Sequence, residues 1–152
     1  MQYRFASAAD IPLLTAQRLR FLDIAKTSPD HASMQQNLLR YFNDAFVADT
    51  IDVLLAETGG QCIGTGIVFY YQSVPSTFNP EGKNAYLTSM YVAPEYRRQG
   101  VATAMVNRLA DKARRRGYPV IMLNASEMGR PLYEKLGFRD IQNGMILDIR
   151  NA

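Results

Sequence analysis

One stretch, Tyr86 to Gly117, constrains the fold of this chain more than any other. It reads Y-L-T-S-M-Y-V, then A-P-E-Y-R-R-Q-G-V-A-T, then A-M-V-N-R-L-A-D-K-A-R-R-R-G. The first run is rich in β-formers and Gly117 suits the position just past a helix end, so the order is strand, turn, helix. A helix start leaves its first N–H groups without intrahelical partners and carries the positive end of the helix dipole. Here that start falls at Arg97-x-x-Gly100-x-Ala102, where a glycine and a small residue let the backbone come close to a ligand. The stretch predicts a cradle for an anion such as a phosphate.

The flanking segments extend this unit into a sheet. Pro119 to Leu123 is a short apolar strand after the helix, so strand, helix and strand form a parallel crossover. Upstream, Gln2 to Phe5 reads as a strand and Ser7 or Asp10 as a cap. A helix follows with Ile11, Leu14, Phe21, Leu22 and Ala25 at helical spacing. Ser28-Pro29-Asp30 breaks it, and a second helix is expected from about Ser33 to Ala48. Ile51 to Glu57 and Cys62 to Tyr71 form a hairpin around Thr58-Gly59-Gly60-Gln61. Gly64-Thr65-Gly66 lacks the third glycine and the following helix of a dinucleotide-binding turn, so it marks a place where the strand has no bulk. Gln72 to Asn84 is long and rich in Pro, Gly and Ser, a candidate rim or lid. Beyond the crossover, Asn124 to Gly129 reads as a loop and Pro131 to Leu136 as a short helix closed by Gly137. Asn143-Gly144 then joins strands Phe138–Ile141 and Met145–Ile149. The order β-α-α-β-β-β-α-β-α-β-β places the chain in the α/β (α+β) class, with a mixed sheet of six to seven strands.

Composition narrows the chemistry. The chain has 152 residues, 47% of them hydrophobic, enough for a single domain over 1–152 that needs no covalent staples. No apolar run reaches membrane-spanning length and the N-terminus does not read as a signal peptide, which points to a cytoplasmic protein without a membrane partner. Cys62 and His31 are the only residues of their kinds, leaving no internal disulfide and no material for a zinc site. A serine–histidine–acid triad would have to use His31, which lies in the polar connection T-S-P-D-H-A-S. The net charge of +3 is too small to argue for nucleic acid. Arg97, Arg98, Arg108, Lys112, Arg114, Arg115 and Arg116 nevertheless stand against Asp111 alone in their interval. They form either a solvated helix face or an attractive field for a polyanionic small molecule.

The motif Arg97-x-x-Gly100-x-Ala102 resembles the acetyl-coenzyme A signature of the GCN5-related N-acetyltransferases (GNAT), with alanine in place of the last glycine. Met90-Tyr91-Val92-x-Pro94-x-Tyr96 precedes it, and G-R-P-L-Y-E-K-L-G-F from Gly129 to Phe138 is similar to the family's second motif. The resemblance implies a three-layer α/β/α sandwich and an acetyl-CoA-dependent N-acetyltransferase. Its direct acceptor would be a primary amine of a small molecule or peptide. Acetyl-CoA would be the co-substrate, with no metal, and the cofactor site would comprise Met90, Tyr91, Val92, Arg97, Arg98, Gln99, Gly100, Val101, Ala102, Thr103 and Asn124. By the same resemblance, Met90, Tyr91 and Val92 pair with the pantetheine arm, and the Met90 N–H faces the thioester carbonyl.

Tyr133 matches the family's general acid, and an ordinary phenol with a pKa near ~10 carries its proton at neutral pH. The strand before the turn offers Thr88 and Ser89 where family members often place a carboxylate. Glu127, in the loop after the next strand, is then the candidate base, and the amine otherwise loses its proton to solvent. Arg18, Phe21, Thr88 and Ser89 are the candidate acceptor contacts, and inward-facing Arg18 and Arg20 would suit an acceptor that bears a carboxylate. The alternative function is a non-catalytic acetyl-CoA or CoA binding module. The terminal hairpin offers an edge for homodimer pairing.

Overall fold

The computed structural model describes residues 1–23, 26–141 and 144–150. Strands β1 (Gln2–Phe5), β2 (Ile51–Thr58), β3 (Gln61–Gln72), β4 (Lys83–Val92) and β5 (Ile121–Met122) lie side by side in chain order. The first three pairings are antiparallel, and β4 pairs with β5 in parallel. A parallel partner needs a crossover, which helix α3 (Val101–Arg115) supplies.

Helices α1 (Ile11–Phe21) and α2 (Pro29–Val47) cover one face of the sheet, while α3 and α4 (Arg130–Lys135) cover the other. Strand β2 is buried on both sides, and its alternation decides which residue meets which layer. Val53 and Leu55 join Ile11, Leu14 and Phe42, whereas Leu54 and Ala56 join Met105 and Leu109. The result is the expected three-layer α/β/α arrangement. Helix α2 begins four residues before the expected Ser33, because the breaker is also its cap. Ser28 Oγ accepts from the Asp30 N–H at 3.3 Å, and Pro29 takes the first helical position, where no N–H is missed.

Gly64 and Gly66 face α3. A Cβ on Gly64 would stand 3.1 Å from Met105 Sδ, and one on Gly66 3.0 Å from Leu109 Cδ1. The strand does lack bulk at this point, and α3 sits down on it.

Most of the basic residues of α3 are engaged by neighbouring groups, although Arg108, Arg114 and Arg115 stay exposed to solvent. Arg108 lies 4.3 Å above the Tyr3 ring and Lys112 5.3 Å above Phe5, so both cover β1 aromatics. Arg114 pairs with Asp111. Arg116 reaches Asp49 at 3.0 Å and Asp52 at 3.6 Å while covering the Tyr70 ring at 4.5 Å.

One expectation is corrected. Residues 138–141 and 144–150 carry no strand, so among the described residues the sheet has five strands instead of six or seven, and Asn143 of the expected turn lies outside them. The physical reason lies in the template. Strand β5 offers two register positions, and the run Met145, Ile146, Leu147 is apolar without alternation, so it needs cover on both faces. Those residues are 100%, 95% and 82% exposed.

The connection before β4, expected as a rim or lid, lies away from the arginine motif, and its Phe78 lines the cleft beside β5. Asn79 Nδ2 donates to Lys83 O at 2.8 Å, while Asn84 Nδ2 donates to Ser73 Oγ at 2.8 Å and Gly82 O at 2.9 Å, closing the loop on itself. It sits at the opposite end of β4 from the arginine turn, about 30 Å away at ~3.3 Å per residue. No helix among the described residues is long and apolar enough to cross a membrane.

Candidate functional site

The turn between β4 and α3 is built to expose backbone donors. Arg98 and Gly100 both take left-handed conformations, with φ of +58° and +81°. The first helical bond runs from Ala104 N to Gly100 O at 3.0 Å. The six N–H groups from Arg98 to Thr103 therefore find no acceptor among the described residues, and no side chain caps the helix. A Cβ on Gly100 would meet nothing within 4 Å, so glycine serves the φ angle here. Arg97 Nε donates to Val92 O at 2.9 Å, buckling the turn to the end of β4, and Gln99 Nε2 donates to Glu95 O at 2.8 Å. Arg98 is exposed, and neither arginine forms an ion pair with Glu95 among the described residues.

Strands β4 and β5 pair at Ala85↔Ile121 and Tyr86↔Met122 only. From Leu87 to Val92, β4 runs on with β3 beside it and no strand on its other edge, which leaves that edge open for another extended chain. Within this stretch the register passes from Thr65↔Tyr91 to Ile67↔Thr88, so Ser89 and Met90 together oppose Gly66. This is a β-bulge, and Ser89 adopts a φ of +52° to make it. The side chain of Ser89 is thereby turned toward α1.

There it meets a hollow of about 130 Å³ between α1 and the sheet. Arg18 Nη1 donates to Ser89 Oγ at 3.0 Å, and the guanidinium lies 5.1 Å from the centre of the Phe21 ring. Burial lowers the Arg18 pKa from its ordinary value. Arg18, Phe21 and Ser89, the candidate acceptor contacts, are brought together in this lining, and Arg20 also reaches the wall. Thr88 does not. Gln17 and Thr65, not expected at the acceptor site, also line it, with Leu14, Ile67 and Tyr91, the last expected only against the pantetheine arm. Their signal was the bulge, which a single strand's sequence does not display.

Tyr133 stands on α4, half-buried, with its ring edge-on to Phe138 at 5.6 Å. It packs against the same core cluster as Met90 and Tyr96, and its hydroxyl has no hydrogen-bond partner among the described residues. Burial raises its pKa above the ordinary 10. Glu127 and Asn124 are exposed on the loop after β5 and line neither the α1 hollow nor the cleft beside β5. Among the described residues no group of three or more metal-ligating side chains converges.

The sequence profile of the Acetyltransferase (GNAT) family matches residues 18–138. The chain belongs to the GNAT family. A solved structure of a predicted acetyltransferase with acetyl-CoA, from Clostridium acetobutylicum, shares 34% identity, superposes with a TM-score of 0.88, and covers 97% of this chain and 96% of its own. A GCN5-related N-acetyltransferase from Ralstonia eutropha has the same fold, at a TM-score of 0.83 and 23% identity over 97% of both chains. Among curated proteins, the mouse thialysine N-epsilon-acetyltransferase is 29% identical over 66% of this chain and 58% of its own length. The glucosamine 6-phosphate N-acetyltransferase of Trypanosoma brucei brucei is 36% identical over 42% of this chain and 44% of its own. The chain thus spans roughly half the length of the curated relatives it matches.

Proposed function

We propose that the protein is an N-acetyltransferase that moves the acetyl group of acetyl-CoA directly to a primary amine of a small molecule or peptide. The observation that carries this reading is the arc of six N–H groups lying at the end of a strand whose outer edge is open. A pyrophosphate needs several donors in a small arc, which Arg98 to Thr103 provide at a helix start, and Arg98 adds an exposed cation. The open edge of Met90, Tyr91 and Val92 suits a pantetheine arm lying as an added strand. The fit of the residues to the co-substrate is therefore both electrostatic and geometric.

Bound acetyl-CoA supplies an activated acyl carbon and a thiolate leaving group. The chain's own part is to hold and polarise. The Met90 N–H, beside the bulge, is assigned to the thioester oxygen, where negative charge builds up as the amine attacks. The amine nitrogen forms the new C–N bond, the C–S bond breaks, and the departing sulfur takes a proton from the Tyr133 hydroxyl, which water then reprotonates. Burial keeps that hydroxyl protonated at neutral pH. The amine's own proton leaves to water in this scheme, because exposed Glu127 lines no part of the hollow. Two curated relatives are named for N-acetylation of thialysine and of glucosamine 6-phosphate, which supports a small-molecule amine as the acceptor. The exposed apolar run Met145 to Leu147 supports a homodimer in which it is covered.

The test is thiol release from acetyl-CoA by purified protein with a panel of primary amines, read together with the mass of the acetylated product. Turnover with at least one amine is expected. Tight acetyl-CoA binding with no turnover for any amine would instead leave a non-catalytic binding module.

A further inference from the structure

The hollow under α1 holds a cation with no counter-charge. Arg18 is half-buried, and none of the ion pairs among the described residues involves it. Its neighbours in the wall are Phe21, Thr65, Ser89 and Tyr91, with Arg20 at the rim, and no carboxylate lines the space. One guanidinium nitrogen is used on Ser89 Oγ at 3.0 Å, and the Phe21 ring lies against the group at 5.1 Å. A charge withdrawn from water in this way is costly unless an anion meets it, and a planar guanidinium matches a carboxylate in two parallel hydrogen bonds. Elsewhere in the molecule the other inward-lying arginines have such partners: Arg4 holds Asp10 and Glu57, and Arg116 holds Asp49.

Position gives the charge a purpose. Ser89, the residue that holds Arg18, immediately precedes Met90, and consecutive Cα atoms are about 3.8 Å apart. An anion on Arg18 therefore lies within one small molecule's length of the backbone assigned to the thioester. The volume, about 130 Å³, is well below the ~300–1,000 Å³ of pockets that hold drug-sized ligands, so it suits a molecule of amino-acid size. A polycationic amine would meet two arginines and no acid.

Resting on the acetyl-transfer reading, we propose that the acceptor is a primary amine bearing a carboxylate, and that Arg18 is the residue that binds this carboxylate and selects for it. Ser89 orients the guanidinium from the bulge. Arg18 takes no part in proton transfer or bond making, so its loss acts on acceptor binding and leaves the cofactor turn intact.

The experiment uses matched pairs that differ by the carboxylate alone: L-alanine against ethylamine, L-lysine against cadaverine and L-tyrosine against tyramine, with phosphoethanolamine as a phosphate-bearing arm. Each is titrated calorimetrically into the protein with and without CoA, and each is assayed for thiol release from acetyl-CoA. At least one amino acid is expected to bind about tenfold or more tightly than its decarboxylated partner. Arg18→Gln is expected to erase that difference without changing CoA affinity, which also shows that the variant folds, and Arg18→Lys to restore part of it. Equal binding within every pair, a preference that survives Arg18→Gln, or tightest binding of cadaverine or phosphoethanolamine would overturn the proposal. Failure of acetyl transfer itself reads out separately, as absence of thiol release with every amine while the carboxylate preference is still measured by binding.

Discussion

A methyl group on Gly66 would stand 2.5 Å from Met90 Sδ, across the bulge that sets the position of the Met90 backbone. The same methyl would lie 3.0 Å from Leu109 Cδ1, which is fully buried against the sheet. The thioether can swing aside but Leu109 cannot without lifting α3. Gly66→Ala should therefore cost about 1–3 kcal/mol, as overpacked cores do, and lower the thermal midpoint by several degrees. Because α3 also carries the donor turn, the KM for acetyl-CoA should rise in the same variant. Thermal denaturation and steady-state kinetics on one preparation measure both effects.

The hydroxyl of Tyr133 has no partner among the described residues, whereas its ring packs on Phe138. Tyr133→Phe keeps the ring contact and removes only the proton donor. Turnover should fall by about 10² or more, with the acetyl-CoA KM and the thermal midpoint little changed. Because burial raises this phenol above its ordinary range, the hydroxyl keeps its proton through neutral pH and loses it only in more alkaline solution than a free tyrosine does. The wild-type rate should accordingly show no fall from this group in the neutral range.

Two adjacent arginines of the turn should separate cleanly. Arg97 is bonded to Val92 O at 2.9 Å and fixes the turn against β4, while exposed Arg98 makes no such bond. Arg98→Ala should weaken acetyl-CoA binding by several-fold in a salt-dependent way and leave stability alone. Arg97→Ala should lower both the thermal midpoint and cofactor affinity, since it frees the carbonyl and the loop together. Calorimetric titration of CoA at two salt concentrations, beside thermal melts, distinguishes the two roles.

The donor turn and the short helix that carries Tyr133 were legible because each is written in contiguous residues, Arg97 to Thr103 and Pro131 to Phe138. The three layers were legible too, since hydrophobic periodicity and the crossover rule act over short windows. What stayed hidden depends on pairing between distant segments. The bulge at Ser89-Met90 exists only relative to Gly66, so the sequence could not show that Ser89 turns to Arg18 while Thr88 stays out of the hollow. Arg116 looked like one more surface cation because its partners Asp49 and Asp52 lie far up the chain. The C-terminal run misled for the opposite reason: its local strand preference is strong, but β5 offers only two register positions to pair with.

Acid should loosen the start of the fold first. Arg4 on β1 donates to both oxygens of Asp10 at 2.9 and 2.8 Å and reaches Glu57 on β2 through Nε at 3.1 Å. These bonds, with the Ser7 N–H at 2.8 Å, hold the Asp10 carboxyl down to about 2 from an ordinary 3.8. A depressed carboxylate adds stability that is complete above its unfolded value and disappears as pH falls through the folded one. The contribution should vanish between about pH 4 and pH 2, and after solvent screening it amounts to about 1 kcal/mol. Asp10→Asn should flatten that part of the stability curve, measured by urea unfolding from pH 7 downward.

The far end of α3 is fastened by a charge that sequence position alone assigned to the surface. Arg116 pairs with Asp49 at 3.0 Å, lies 3.6 Å from Asp52 and covers the Tyr70 ring, whose hydroxyl donates to Asp52 at 2.7 Å. Asp52 is 9% exposed, so its charge is tolerated through that hydrogen bond and the cation beside it. Arg116→Ala removes the cation and the ring cover at once and should cost about 2–3 kcal/mol, between the values of exposed and buried pairs. Asp52→Asn alone should cost less, because tyrosine can still donate to the amide oxygen. The double variant should then be more stable than the sum of the two predicts, by about 1 kcal/mol or more. Strict additivity in that cycle, measured by denaturant unfolding, would mean that the arginine holds the sheet through Asp49 and Tyr70 without Asp52.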